Sequence, residues 1–163
     1  MQQMDGALTP SRSSLMRLAA SVTWQPDKWE RLSLMAECVG PNVSTVLDVG
    51  GRGSEMAGLL NPARVVTANI RPPADVIIGH RLPFQDQSFE IVTSCDVLEH
   101  MSVDARPDHV RELVRIAEKK VVVCCPYGSP GHYASERRMS DTLRREYGIS
   151  LDFLEEHIEY GLP

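Results

Sequence analysis

Apolar residues occur in five short runs between residues 43 and 125, and valine and isoleucine dominate them. The runs are nearly continuous rather than alternating, which is typical of strands that helices cover on both faces. They span residues 43–49, 64–70, 75–78, 89–94 and 119–125. The pattern therefore predicts five strands in the interior of an α/β domain.

Helical periodicity occurs before the first run, between the fourth and fifth runs, and after the fifth. The first predicted helix begins near residue 26, ends at Gly40-Pro41, and has its apolar positions at Trp29, Leu32, Ala36 and Val39. The second has one apolar face, which consists of Val103, Val110, Leu113, Val114 and Ala117. Two further helices are predicted at the end of the chain: the first is lined by Met139, Leu143 and Tyr147 and ends at Gly148, and the second is capped by Ser150 and ends at Gly161.

The order strand, helix, strand, strand, strand, helix, strand favours a Rossmann-like, doubly wound α/β fold with a mostly parallel sheet and helices on both faces. Only residues 71–74 separate the second and third runs. A parallel crossover normally needs a dozen or more residues. The third run is therefore either a short edge strand or no strand of the ladder at all.

Length and composition are those of one soluble domain. The 163 residues are 42% apolar and 24% charged, and we assign residues 1–25 to an N-terminal arm and residues 26–163 to the domain. The formal net charge of -5 argues against general nucleic-acid binding. No targeting sequence or membrane-inserting segment is recognisable and the four cysteines suit reduced thiols, so we expect a cytoplasmic protein.

A glycine-rich turn follows the first predicted strand. Residues 46–54 combine a buried strand, the acidic residue Asp48 at its carboxyl end, and Gly50, Gly51 and Gly53. Ligands of open α/β sheets bind outside the carboxyl ends of strands, next to the first strand, and glycines let the backbone approach a ligand closely. This turn is the first candidate binding site.

Two segments downstream make the pattern more specific. Residues 82–92 carry a Leu-Pro-Phe element that leads into the fourth strand, and residues 96–100 read Asp-Val-Leu-Glu-His directly after it. With the glycine turn, these segments resemble the motifs of class I S-adenosylmethionine-dependent methyltransferases, in particular the subgroup that includes many small-molecule methyltransferases. The resemblance implies S-adenosylmethionine as cofactor. It implies cofactor contacts by Asp48, Gly50, Gly51, Gly53, Asn69, Ile70, His80 and Asp96.

The chain departs from that family at several positions. Arg52 and Ser54 stand where glycines are common, and the second strand ends in Asn69 where the family has an acid that binds the ribose hydroxyls. Asn69 can still accept one hydrogen bond and donate another; it is either a ribose contact or a cap of the strand end. The usual aspartate after the third strand is missing, and residues 79–81 stand in that region.

Methyl transfer needs alignment more than a fixed set of catalytic residues, although histidine is the usual general base where one is required. His100 and His132 follow strands four and five on the ligand side and are the candidates for substrate contact or proton transfer. His109 and His157 lie within predicted helices and are interpreted as ordinary surface or partly packed residues. No metal site is expected.

The sequence thus predicts methyl transfer to an unidentified small-molecule, glycan or lipid-precursor acceptor. The alternatives are a non-catalytic domain of the same fold and a nicotinamide-dependent oxidoreductase, although the G-x-G-x-x-G spacing of the latter is not met. The two strands that family members add after the fifth are not recognisable, so we expect a sheet without them, and its exposed edge could pair with a second copy of the chain.

Overall fold

A computed structural model describes residues 26–53, 55–60, 64–79 and 81–163. Within these ranges five strands form one sheet in the order β3-β2-β1-β4-β5, and every neighbouring pair is parallel. The strands are β1 (Thr45–Val49), β2 (Arg64–Asn69), β3 (Val76–Ile77), β4 (Phe89–Cys95) and β5 (Ala117–Cys124). The predicted parallel α/β sheet is confirmed, and the strand order reverses between β1 and β4.

The helices follow the predicted order. They are α1 (Pro26–Val39), α2 (Glu55–Leu59), a 3-10 helix (Leu98–His100), α3 (Arg106–Ile116), α4 (Pro130–Thr142), a π-helical segment (Leu143–Tyr147) and α5 (Asp152–Tyr160). Gly40 ends α1 with a φ of 84°, and its amide donates to the carbonyl of Ala36. No helix in the described ranges has the length and apolar character needed to cross a membrane.

Both faces of the sheet are covered. Successive residues of a strand point to opposite faces, so Val46 belongs to one core cluster with α1 and α2, while Leu47 belongs to the other cluster with α3. From α3, Leu113 and Ile116 are fully buried in this second cluster. Each such side chain contributes about 1.5–3 kcal/mol relative to an exposed position. The doubly wound architecture predicted from the strand pattern is therefore confirmed.

The predicted apolar face of the second helix was partly wrong. Val103 and Val114 are 61% and 59% exposed, and Ala117 begins β5 rather than ending the helix. Helix α3 instead turns Leu113 and Ile116 toward the sheet, three residues apart. Val103 and Val114 led to a wrong assignment of the buried face, because valine also occurs at exposed positions.

Strand β3 is a two-residue edge strand. Val76 pairs with Ala68 and Ile77 with Asn69, so β3 pairs only with the carboxyl end of β2. The connection therefore does not have to run back to the amino end of β2. The Asp75 carboxylate accepts hydrogen bonds of 2.8 Å from both the backbone amide and the hydroxyl of Thr67, and the backbone bond is the main reason why its pKa is lowered. This explains how the short connection supports parallel pairing.

After β5 the described residues form helices joined by loops, and no strand. Helix α5 packs on α4 and on the 3-10 helix, and Gly148 and Gly161 end their segments at positive φ, as predicted. Met139 and Tyr147 are 45% and 67% exposed, so they do not form the predicted buried line. Instead, α4 buries two polar residues, Glu136 and Ser140. The predicted cap at Ser150 was also wrong, because α5 starts from Leu151 without a side-chain cap.

Candidate functional site

The candidate site lies where β1, β2 and β4 end at the same edge of the sheet. Parallel strands bring their carboxyl ends together, and the pairing places Asp48 of β1 opposite Thr67 of β2 and Thr93 of β4. The glycine turn leaves this edge directly after β1, and Asn69 and Asp96 end or follow the neighbouring strands. The predicted cofactor residues of these three segments are thus brought together.

Asp48 is a buried carboxyl group beneath the glycine turn. Its side chain is 3% exposed, and the Thr93 hydroxyl donates a 2.8 Å hydrogen bond to Oδ1. Burial raises the pKa of Asp48 to about 6, against the lowering effect of that hydrogen bond. A Cβ atom on Gly51 would lie 1.8 Å from Asp48 Oδ2. Gly51 is therefore required for the turn to close over this carboxyl group.

Gly50 brings the turn against the segment after β4. Its φ is 87°, and a Cβ atom there would lie 2.2 Å from Cγ2 of Val97. Its amide also donates to the carbonyl of Ala68 in β2 at 2.8 Å. Gly53 has a φ of 61° and donates to the carbonyl of Pro73. These contacts fix the turn between two strand ends, while Arg52 is exposed.

Asn69 holds the glycine turn from the side of β2. Its amide nitrogen donates to the carbonyl oxygens of Gly50 and Gly51, at 2.8 Å and 3.0 Å. Its Oδ1 accepts from the backbone amide of Arg71 at 3.3 Å. Both amide hydrogens are thereby used within the protein, which favours the capping interpretation; Oδ1 retains acceptor capacity. A contact to ribose stays a prediction. The neighbouring Ile70 is 64% exposed.

Asp96 follows β4 in a left-handed backbone conformation with a φ of 54°. Arg31 of α1 contacts Asp96 Oδ2, with Nη2 at 2.9 Å and Nε at 3.1 Å. Oδ1 of Asp96 is buried and has no hydrogen-bond partner within the described part of the chain. The strained conformation and the open acceptor atom are features typical of binding sites. Among the predicted cofactor residues, His80 lies outside the described residues.

His100 and His132 belong to a group of acidic and imidazole side chains next to Asp96. We call this group the Glu/His cluster; it comprises Glu99, His100, His132, Glu136, Glu156 and His157. His132 Nε2 lies 3.4 Å from Oε1 of Glu136. Oε1 of Glu136 also lies 2.8 Å from Nδ1 of His157. The structure thus brings the two candidate histidines to one region, and their roles stay predictions.

Sequence reasoning missed the buried members of this cluster. Glu99 is 1% exposed and His157 7% exposed, so interpreting His157 as an ordinary helix residue was wrong. Burial raises the pKa of Glu99, and nearby Asp96 adds to that effect. Glu99 could have been found from its place in the Asp-Val-Leu-Glu-His segment. His157 lies in α5, 58 residues after Glu99, and carries no comparable local signal.

Comparisons with known proteins agree with this arrangement. Residues 47–125, which run from within β1 through the glycine turn to the end of β5, match the family model described as a methyltransferase domain. No curated protein matches the sequence significantly. The match covers the segments on which the predicted resemblance rested.

Solved structures with the same fold share little sequence identity with the chain. A proposed methyltransferase of Bacillus halodurans superposes with a TM-score of 0.52 and 19% identity, over 81% of this chain and 68% of that one. A protein from Pyrococcus horikoshii gives a TM-score of 0.54 and 18% identity, over 84% and 72%. A proposed methyltransferase of Haloferax volcanii, solved with the methyltransferase activator Trm112, gives 0.52 and 19%, over 80% and 66%. At this level of identity the likeness shows the fold.

The family match and the sheet order agree, since the match spans the glycine turn after β1, which lies at the edge where open α/β sheets bind their ligands. The nicotinamide alternative finds no support from either. Residues 47–125 therefore match the methyltransferase domain family, and the sheet that carries them has the fold of solved proteins that include proposed methyltransferases.

Proposed function

We propose that the chain transfers the methyl group of S-adenosylmethionine to an oxygen or nitrogen atom of a small molecule, a glycan or a lipid precursor. The observation that carries the proposal is the buried Asp48 carboxyl group directly beneath the Gly51 backbone. A carboxylate at that place provides a counter-charge for the amino group of the cofactor. At pH 7 it is mostly ionised, because its raised pKa of about 6 is still lower.

The other residues take supporting roles in this proposal. The glycine turn, fixed by Asn69, passes beneath the amino-acid part of the cofactor, and Ile70 presents an exposed apolar side chain at the end of β2. Asp96 offers its unpartnered Oδ1 as a further acceptor. The bound cofactor supplies an activated methyl group, so the chain mainly has to align the acceptor and exclude water. His100 and His132 are the proposed contacts to the acceptor.

Calorimetric titration with S-adenosylmethionine and with its demethylated product tests the proposal. We expect binding by the wild type, a loss of at least tenfold in affinity for Asp48→Ala, and no change for Asp108→Asn, whose side chain is 75% exposed. Absence of binding at millimolar ligand would overturn the proposal. Binding without methyl transfer to acceptors of all three classes would favour the non-catalytic alternative.

A homo-oligomer through the sheet edge and a cytoplasmic location are part of the same proposal. Strand β5 is the longer of the two edge strands, and its exposed positions include the charged residues Glu118, Lys119 and Lys120. Charges on an edge disfavour pairing, so the affinity of any dimer through β5 should be low. Light scattering during gel filtration would distinguish the 18.1 kDa chain from twice that mass. All four cysteines are free, in agreement with a reducing compartment.

A further inference from the structure

Three side chains with metal-binding atoms converge within the Glu/His cluster. Glu99 and His100 come from the 3-10 helix after β4, and His157 comes from α5. Each offers one ligand atom, and the three atoms lie within 4.8 Å of one another. The two imidazole rings are 4.9 Å apart between centroids. One ion can therefore contact side chains that are distant in sequence.

Both histidines are oriented by a carboxylate. Nδ1 of His157 lies 2.8 Å from Oε1 of Glu136, and Nδ1 of His100 lies 2.7 Å from Oε2 of Glu156. Metal-binding histidines commonly donate one ring N–H to a carboxylate, which fixes the tautomer and leaves the other nitrogen for the ion. Donation from Nδ1 to these carboxylates would leave Nε2 of each ring for the ion.

Two of the three side chains are buried with a polar atom that lacks a partner. Oε2 of Glu99 and Nε2 of His157 have no hydrogen-bond partner in the described ranges, and these residues are only 1% and 7% exposed. Buried polar atoms are otherwise almost always hydrogen-bonded, and a bound ion is one of the recognised explanations for exceptions. A cation among these atoms would satisfy both.

We propose that Glu99, His100 and His157 bind a divalent transition-metal ion, with Zn²⁺ as the best match. Two imidazole nitrogens and one carboxylate form the donor set of zinc sites that keep a fourth position open. Zinc fits better than Mg²⁺ or Ca²⁺, which prefer oxygen ligands alone. The proposal departs from the sequence-based expectation that the chain has no metal site.

The place of the site indicates what the open position binds. Val97, which contacts the glycine turn, is two residues from Glu99, so the ion would lie at the same edge of the sheet as the cofactor site. The fourth position would hold water or an oxygen atom of the acceptor, so that His100 contacts the acceptor through the ion and His132 contacts it directly. This points to a hydroxyl-bearing acceptor. This last step rests on the proposed function, whereas the binding of the ion does not.

The proposal is tested by titrating the chelator-treated full chain with zinc and measuring binding by calorimetry. Co²⁺ can replace zinc in a second titration, in which binding is measured by visible absorption. We expect one ion per chain for the wild type and a loss of at least tenfold in affinity for His157→Ala and for Glu99→Gln. Glu136→Gln should weaken binding about 10–100-fold, as is typical when a carboxylate behind a ligand is removed. His109→Ala is the matched control, because His109 lies on α3 outside the cluster.

Equal zinc affinity in the wild type, His157→Ala and Glu99→Gln would overturn the proposal. So would a loss of binding only on Cys124→Ser or Cys125→Ser, since thiolates also bind zinc. If His157→Ala does not fold, as judged by circular dichroism, Glu99→Gln and the Co²⁺ spectrum decide. S-adenosylmethionine binding is measured separately, with chelator present. Absence of cofactor binding would contradict the proposed function, whereas only the zinc titration tests the metal site.

Discussion

The side-chain amide nitrogen of Asn69 lies 2.8 Å from the carbonyl oxygen of Gly50, so the end of β2 holds the turn that follows β1. A second bond of 3.0 Å to the carbonyl of Gly51 uses the remaining amide hydrogen. An ionised aspartate, an acid of the kind that the resemblance leads us to expect at this position, has no hydrogen to donate to these carbonyls. The departure at this position is therefore matched to the local structure of the turn.

Asn69→Asp should consequently weaken the protein rather than restore a family feature. The carboxylate oxygen that replaces the amide nitrogen would face two carbonyl oxygens. We expect the free energy of unfolding to fall by about 1–3 kcal/mol and cofactor affinity to fall at least tenfold. Chemical denaturation and calorimetry measure the two effects. Asn69→Ala removes the donors without adding charge and should be milder. Tighter cofactor binding by Asn69→Asp would show that the side chain acts mainly as a ribose contact.

Gly50→Ala tests the close approach of the turn to Val97. The alanine Cβ would lie 2.2 Å from Val97 Cγ2 at a φ of 87°. Gly40 has a φ of 84° and open space around it, so Gly40→Ala isolates the cost of the backbone conformation, about 1–2 kcal/mol. We expect Gly50→Ala to cost more than that and to abolish cofactor binding.

The double variant Gly50→Ala/Val97→Ala distinguishes the two contributions. Removal of the Val97 methyl groups should recover part of the stability lost in Gly50→Ala, which a double-mutant cycle measures as a coupling energy. Additive effects of the two substitutions would contradict the contact.

Asp48 should make stability fall with rising pH. Its pKa is about 6 in the folded chain and 3.8 in the reference state, so between these values the folded state keeps a proton that the unfolded state has lost. The unfolding free energy then decreases from pH 4 to pH 6 and levels off above, by roughly 3 kcal/mol in all. Asp48→Asn should remove this part of the pH dependence in urea unfolding measured from pH 4 to pH 8. If the unfolding free energies of the wild type and of Asp48→Asn depend on pH in the same way, Asp48 is solvated in the folded chain.

Cofactor binding should have the opposite pH dependence. The ionised carboxylate is the form that attracts an amino group, and Asp48 ionises as the pH rises through 6. We expect affinity for S-adenosylmethionine to increase by about tenfold from pH 5 to pH 7 in the wild type and to stay flat in Asp48→Asn, as measured by calorimetry. If the wild-type affinity does not change between pH 5 and pH 7, Asp48 does not interact with the amino group of the cofactor.

The core of the fold was predictable because strands buried on both faces leave continuous apolar runs. Val46 and Leu47 are both fully buried although they face opposite layers. The same signal fails where helices bury polar side chains. Helix α4 turns Glu136 inward, and no apolar periodicity marks that face.

The glycine turn was predictable from its own residues, whereas its partners were not. Asp48, Gly50 and Gly51 are contiguous, so their contact follows from the local turn. The bonds from Asn69 cross from β2 to the turn and depend on strand register, which the sequence does not state. His157 reaches His100 only because α5 packs on the 3-10 helix, a contact that no local pattern announces.

Arg115 of α3 holds the Leu-Pro-Phe segment that leads into β4, and its replacement tests that role. Its guanidinium donates to the carbonyl of Phe84 at 2.8 Å and of Leu82 at 3.2 Å, and it pairs with Glu112 at 2.8 Å. A lysine ammonium cannot span these acceptors in one plane. Arg115→Lys should lower the melting temperature by several degrees in a thermal scan. Arg111→Lys is the matched control on the same helix, because Arg111 is 72% exposed and pairs only at the surface, where such contacts contribute little. If both variants lower the melting temperature equally, the contacts of Arg115 with the carbonyls of Leu82 and Phe84 do not stabilise the segment.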